Sequence, residues 1–140
     1  MIITLSCQEK TKQEKLDETV DYEEIVEVEQ ESIVEVVTPQ DFKKKVDNTD
    51  VQLIDVRRPE EYKAGHLKNS KNINVLEEDF VKNAETTLDK NKPVYLYCRS
   101  GKRSEKASSK LKEAGFTKIY DMEGGFLAWS AENLEIEKEQ

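Results

Sequence analysis

One cysteine with three cations in the next five residues, Cys98-Arg99-Ser100-Gly101-Lys102-Arg103-Ser104, is the stretch of this chain best equipped for chemistry. The run before it, Val94-Tyr95-Leu96-Tyr97, is β-branched and aromatic and follows Pro93, which predicts a strand. After it, Ala107, Leu111 and Ala114 recur at helical spacing up to Gly115, which predicts a helix from about Ser104 to Ala114. Cys98 is therefore expected at the carboxyl end of a strand and just ahead of a helix N-terminus. Unpaired N–H groups and the helix dipole favour negative charge at such a place. Arg99, Lys102 and Arg103 add full positive charges, and both influences lower the pKa of a thiol. The expected species at Cys98 is a thiolate nucleophile.

Other polar residues read differently. His66 is the only histidine and lies in a Gly65-His66-Leu67 turn. Asp55 and Arg57 follow an apolar run and are expected to pair and hold the loops beside the site. Arg103 is expected to contact an anion, while Lys43, Lys44 and Lys45 read as a solvated helix face. Phe126 and Trp129, three residues apart, read as core.

The elements that position these residues alternate between strand and helix patterns, the signature of an α/β domain with a mainly parallel sheet. Ile33–Val37, Val51–Ile54, Asn72–Asn74, Val94–Tyr97 and Lys118–Tyr120 read as five short strands. Thr38-Pro39-Gln40-Asp41 supplies an N-cap, a proline at the first helical position and an acid at the third, so a helix is expected through Val46. Further helical segments are expected from Pro59 to near Gly65, from about Glu77 to Leu88, and from Gly124-Gly125 through Phe126, Leu127, Trp129 and Leu134. In open sheets of this kind, sites form at the carboxyl ends of strands. Asp55-Val56-Arg57, Cys98–Ser104 and Asp121–Gly125 all follow strands, so three segments point to one edge.

Charge separates this part from the N-terminal segment. The net charge of the 140-residue chain is −8. Residues 8–35 hold eleven acids and three lysines and carry all of it, whereas residues 36–140 balance nineteen acids with nineteen Lys or Arg. From Gln8 to about Glu31 the chain reads as a solvated, flexible arm, and the folded part has no basic stripe with interleaved aromatics, so nucleic acid is not an expected partner. Within the arm, Ile25-Val26-Glu27-Val28-Glu29 fits either a marginal edge strand or a frayed helical turn. No segment is long enough to span a bilayer.

The start, Met1-Ile2-Ile3-Thr4-Leu5-Ser6-Cys7, resembles the tail end of a bacterial lipoprotein signal, in which lipid is attached to the cysteine. It lacks a basic n-region, and Thr4 stands where leucine is usual. Two readings stay open: a membrane tether through lipid on Cys7 at the cell envelope, or an unstructured cytoplasmic start. A Cys7–Cys98 disulfide is not expected, since it would consume the nucleophile.

Four segments in order, Leu53–Tyr62, Gly65–Leu67 with Asn72-Ile73, Cys98–Ser104 and Glu123–Trp129, together resemble a single-domain rhodanese, a thiosulfate sulfurtransferase. The resemblance covers roughly residues 33 to 134. It implies a rhodanese-like domain at 33–137, after an apolar start and arm at 1–32, with a five-stranded parallel sheet and helices on both faces. It implies that Cys98 is the catalytic cysteine and accepts sulfane sulfur as a persulfide. Arg99, Ser100, Gly101, Lys102, Arg103 and Ser104 then form a substrate loop whose amides face the sulfur, with Asp55 and Arg57 bordering the site. The implied partners are a small anionic donor such as thiosulfate and a thiol or cyanide acceptor, with no metal or organic cofactor and with the chain acting as a monomer.

Two rivals compete with this reading. A cysteine phosphatase or arsenate reductase needs Cys-x5-Arg, whereas Arg103 is the fifth residue after Cys98 and Ser104 takes the sixth place. A non-catalytic rhodanese-like module would bind a partner or sense redox state through the same cysteine.

Overall fold

The computed structural model describes residues 31–139 apart from Thr49. The chain divides into two units, residues 1–31 and residues 32–140, and the described strands and helices all belong to the second. The tether considered at Cys7, the arm up to residue 30 and the Ile25–Glu29 alternation lie outside the described residues.

Five strands, β1 (Ile33–Val37), β2 (Gln52–Asp55), β3 (Lys71–Asn72), β4 (Val94–Tyr97) and β5 (Lys118–Met122), form one sheet in the order β1-β5-β4-β2-β3. All neighbours are parallel. Five helices connect them: α1 (Pro39–Val46), α2 (Pro59–Ala64), α3 (Phe80–Thr87), α4 (Lys102–Glu113) and α5 (Gly125–Ala131). β4 is central, so the loop at its carboxyl end emerges between the ends of β2 and β5.

The period-two alternation of strand side chains feeds two separate cores. Ile54, Val94, Leu96 and Ile119 face the side covered by α3 and α4, where Phe80, Ala84, Ala107 and Leu111 meet them. Leu53, Tyr97 and Met122 face the side covered by α1 and α5, where Phe42, Val46 and Trp129 pack. Helices thus lie on both faces. These side chains are buried, and truncating any of the large ones to alanine carries the usual core penalty of about 2–5 kcal/mol.

Local signals set the first helix as its sequence predicts. Thr38 Oγ1 accepts from Asp41 N at 3.2 Å, and Pro39 opens α1. Several boundaries move. β3 lies at Lys71–Asn72 instead of Asn72–Asn74, but Ile73 N and Val75 N still donate to Asp55 O and Val56 O, so the chain stays alongside β2. α3 begins at Phe80 because Asn74 Oδ1 caps Leu76 N in a turn that delays the helix. α4 begins two residues early, at Lys102, since Gly101 at φ 120° makes the bend that a side-chain-bearing residue resists. β5 continues to Met122, held by the register Val36↔Asp121 and Val37↔Met122. Leu134 falls beyond α5, in a tail pinned by Trp129 Nε1 donating to Glu135 O at 2.9 Å.

Candidate active site

Cys98 leaves the end of β4 with Asp55 opposite Tyr97 on one side and Asp121 opposite Leu96 on the other. The residue is 1% exposed and packs with the core under α3 and α4. Arg99 and Ser100 are exposed and Gly101 half-exposed, and these three residues form the lip over it. Gly101 N donates to Cys98 Sγ at 3.0 Å, the one backbone donor to the sulfur among the described residues. Ser104 Oγ and Glu105 N both donate to Gly101 O, at 3.0 and 3.1 Å, which fixes the loop to the first turn of α4. The sulfur therefore sits within a turn of a twelve-residue helix's N-terminus, where the dipole favours an anion.

The loop is fixed from its other side by the Gly124-Gly125 turn. Phe126 N donates to Cys98 O at 2.8 Å and Leu127 N to Arg99 O at 3.0 Å. Gly125 has φ 59°, and a Cβ there would stand 2.5 Å from Cys98 O and 2.6 Å from Arg99 O. Only a residue without a side chain lets these two backbones meet, so the Gly-Gly pair acts on the cysteine loop directly.

Arg103 does not point unpaired at the site. Its guanidinium makes a two-pronged pair with Glu61 of α2, at 2.7 and 3.0 Å. Glu61 Oε1 also accepts from Arg58 N at 3.1 Å. The hydrogen bonds from Arg103, foremost, hold the Glu61 carboxyl down at about 2. Arg99 and Lys102 are exposed, with no ion-pair partner among the described residues.

Asp55 and Arg57 form a closed, buried pair. Arg57 Nη2 lies 2.6 Å from Asp55 Oδ2, Arg57 Nε 2.9 Å from Oδ1, and Arg57 N also donates to Oδ1 at 2.9 Å. Nη2 reaches Gly65 O at 2.6 Å, which ties the turn after α2 to β2. The guanidinium lies 4.3 Å from the ring centroid of Phe126 and 5.6 Å from that of Tyr97. Both Asp55 oxygens are taken, and Arg57 commits Nε and Nη2 to Asp55 and Gly65, so the pair holds the site in place. His66 is equally committed: its Nδ1 meets Tyr62 O at 2.8 Å, its ring stacks on Tyr62, and its backbone bridges to Glu137.

A buried cysteine at the end of the central parallel strand, looped back by a glycine pair, matches the sequence model of the rhodanese-like domain over residues 38–132. The chain belongs to the rhodanese-like family. It is 36% identical over 100 residues to YqhL of Bacillus subtilis, covering 71% of this chain and 75% of that protein. It is also 36% identical over 93 residues to the thiosulfate sulfurtransferase GlpE of Pseudoalteromonas translucida, covering 61% of this chain and 79% of that one. A tRNA uridine(34) hydroxylase of the Aster yellows witches'-broom phytoplasma is 37% identical over 97 residues, 66% of this chain but only 31% of its own length. Among solved structures, the polysulfide-sulfur transferase homodimer of Wolinella succinogenes superposes with a TM-score of 0.63 at 34% identity, covering 76% of this chain and 80% of that one.

Within this rhodanese-like domain, sequence reasoning misses the roles of two residues. Glu61 reads as part of a helix start, and its partner Arg103 is 42 positions away. Asp121 reads as part of a strand-end segment, yet it lies inside β5 and is 5% exposed, with no hydrogen-bond partner for Oδ1. The available signal is a lone carboxylate in an otherwise strand-forming run, Lys118-Ile119-Tyr120-Asp121-Met122.

Proposed function

We propose that this domain is a sulfurtransferase that carries sulfane sulfur on Cys98, with thiosulfate as a competent donor. The observation that carries the reading is the Cys98 sulfur itself, held by Gly101 N at 3.0 Å within a turn of the α4 N-terminus. A persulfide anion on that sulfur would lie against the Gly101 N–H and the helix N-terminus. The exposed cations Arg99 and Lys102 attract a dianionic donor to the lip.

In the transfer step the Cys98 thiolate attacks the outer sulfur of thiosulfate. The S–S bond of the donor breaks, sulfite leaves with the electron pair, and Cys98 keeps the sulfur as a persulfide anion. Three negative charges enter and three remain, so no proton donor is required. An acceptor thiolate or cyanide then attacks the outer sulfur, and Cys98 departs as thiolate. His66 is bound up in its turn and takes no part. The likeness to the thiosulfate sulfurtransferase and the polysulfide-sulfur transferase supports this chemistry.

The test is incubation with thiosulfate followed by intact-mass measurement. A gain of one sulfur atom, abolished in Cys98→Ser, is expected, together with release of sulfite. No adduct on the wild-type protein would return the domain to the non-catalytic reading, a module that binds a partner or senses oxidants.

A further inference from the structure

Asp121 is a buried carboxylate beside the cysteine loop that no cation among the described residues pairs. Alternation with Ile119 places it on the face covered by α4. It is 5% exposed and its Oδ1 has no partner; the Ser104 hydroxyl, which donates to Gly101 O, stands beside the carboxyl as a neutral neighbour. Leaving a polar atom buried and unsatisfied is costly, and such atoms are rare without a role.

Asp121 lines an open groove of about 250 Å³. Glu105 of α4 and Glu123, at the end of β5, stand on the same walls, and both are exposed. Val36, paired with Asp121 across β1, adds an apolar side. No lysine or arginine among the described residues lines it. Gly101 completes the connection, because it lines the groove and its N–H holds Cys98 Sγ at 3.0 Å. The loop thus separates two fields: Arg99 and Lys102 on its exposed lip, and three carboxylates on the groove side.

The carboxylates do not converge as ligands for a metal ion among the described residues. The chemistry that fits is a small organic cation with a short apolar stem: an ammonium for the carboxylates and methylenes for Val36. We propose that the groove is an acceptor subsite that selects aminothiols, thiols carrying an ammonium group a few bonds from sulfur. This rests on the sulfurtransferase reading above. With the ammonium in the groove, the acceptor thiolate attacks the outer sulfur of the Cys98 persulfide. The new S–S bond forms as the Sγ–S bond breaks, Cys98 leaves as thiolate, and the acceptor departs as its persulfide anion. Two negative charges enter and two leave.

Two measurements test this. Protein loaded with thiosulfate and desalted is discharged at pH 7.5 by cysteamine, by 2-mercaptoethanol and by 3-mercaptopropionate, with rates expressed per thiolate. Cysteamine is expected to exceed 3-mercaptopropionate by on the order of tenfold, as charge contacts near a surface allow. That ratio is expected to fall toward one in Asp121→Asn and to shrink in Glu105→Gln. A ratio unchanged in both variants overturns the proposal. Independently, unloaded protein is titrated with ethanolamine, protonated at this pH, and with propionate, following the amide resonances of Gly101 and Gly124. Saturable shifts with ethanolamine alone, lost in Asp121→Asn, are expected, and their absence in the wild type also overturns it. If thiosulfate leaves no sulfur on Cys98, the sulfurtransferase reading fails by itself, and the titration still judges the groove.

Discussion

Two buried aspartates flank the strand that delivers Cys98, and they are built in opposite ways. Asp55 pairs with Tyr97 across β2 and β4, and Asp121 with Leu96 across β5 and β4. Asp55 is fully buried with both oxygens taken by Arg57. Asp121 is nearly as buried, but its Oδ1 is unpartnered. Desolvation, foremost, pushes its carboxyl up to about 6, opposed by the neighbouring Ser104 hydroxyl and reinforced by the Glu105 charge. The difference assigns separate tasks to the two sides of the cysteine. Toward β2 the Asp55–Arg57 pair is closed within the chain, which fixes the loop. Toward β5 a buried carboxylate stands without a cation among the described residues.

The largest effect comes from breaking the saturated side. Arg57→Ala would leave the Asp55 carboxylate buried without its cation and would release Gly65 O. Removing one partner of a buried pair costs about 3–5 kcal/mol. Denaturant unfolding is expected to show a loss in that range, and a loss below about 1 kcal/mol would mean that the pair is not what secures this side.

The open side should respond in the reverse sense, and its response depends on pH. A carboxyl raised from 3.8 to about 6 binds its proton more tightly in the folded state. Its stabilising contribution is complete below pH 3.8 and is lost as pH rises through about 6. At about 1.4 kcal/mol per pH unit, this difference amounts to about 3 kcal/mol. Asp121→Asn cannot ionise, so its stability relative to wild type is expected to be about 2.5 kcal/mol more favourable at pH 8 than at pH 4. Unfolding curves at the two pH values measure it, and a pH-independent difference would mean that burial does not raise the Asp121 carboxyl.

Sequence patterns reveal the two sides unequally, for a physical reason. The saturated pair is local: Asp55 and Arg57 are two residues apart at a strand end, so their pairing is legible before any fold. Thr38, Pro39 and Asp41 announce α1 in the same way, and the Cys98 loop is legible because its strand, glycine and cations are contiguous. Asp121 is not, because its burial depends on β1 lying beside β5 in the order β1-β5-β4-β2-β3, which extends β5 past Tyr120. The contact of Gly125 with Cys98 O is likewise a product of that order. Glycine at 125 is visible as a helix start, but the backbone it has to approach lies 27 positions earlier.

The smallest effect expected is at the pair that ties α2 to α4, Glu61 and Arg103. The carboxyl of Glu61 falls from 4.5 to about 2, so its stabilising contribution is present above pH 4.5 and is lost as pH falls through about 2. Arg103 and Glu61 are 24% and 23% exposed, and solvent screening brings the expected loss in Glu61→Gln at pH 7 to about 1 kcal/mol, vanishing near pH 2. The same substitution leaves Arg103 without its counter-charge beside the loop, adding a third cation to Arg99 and Lys102. Thiosulfate loading of Cys98 is then expected to saturate at a few-fold lower concentration, with greater sensitivity to salt. Discharge by cysteamine, if it depends on the β5 side, should keep its advantage over 3-mercaptopropionate. A variant that shifts loading while sparing that ratio would establish that donor and acceptor meet the sulfur through different charges, one field on each side of β4.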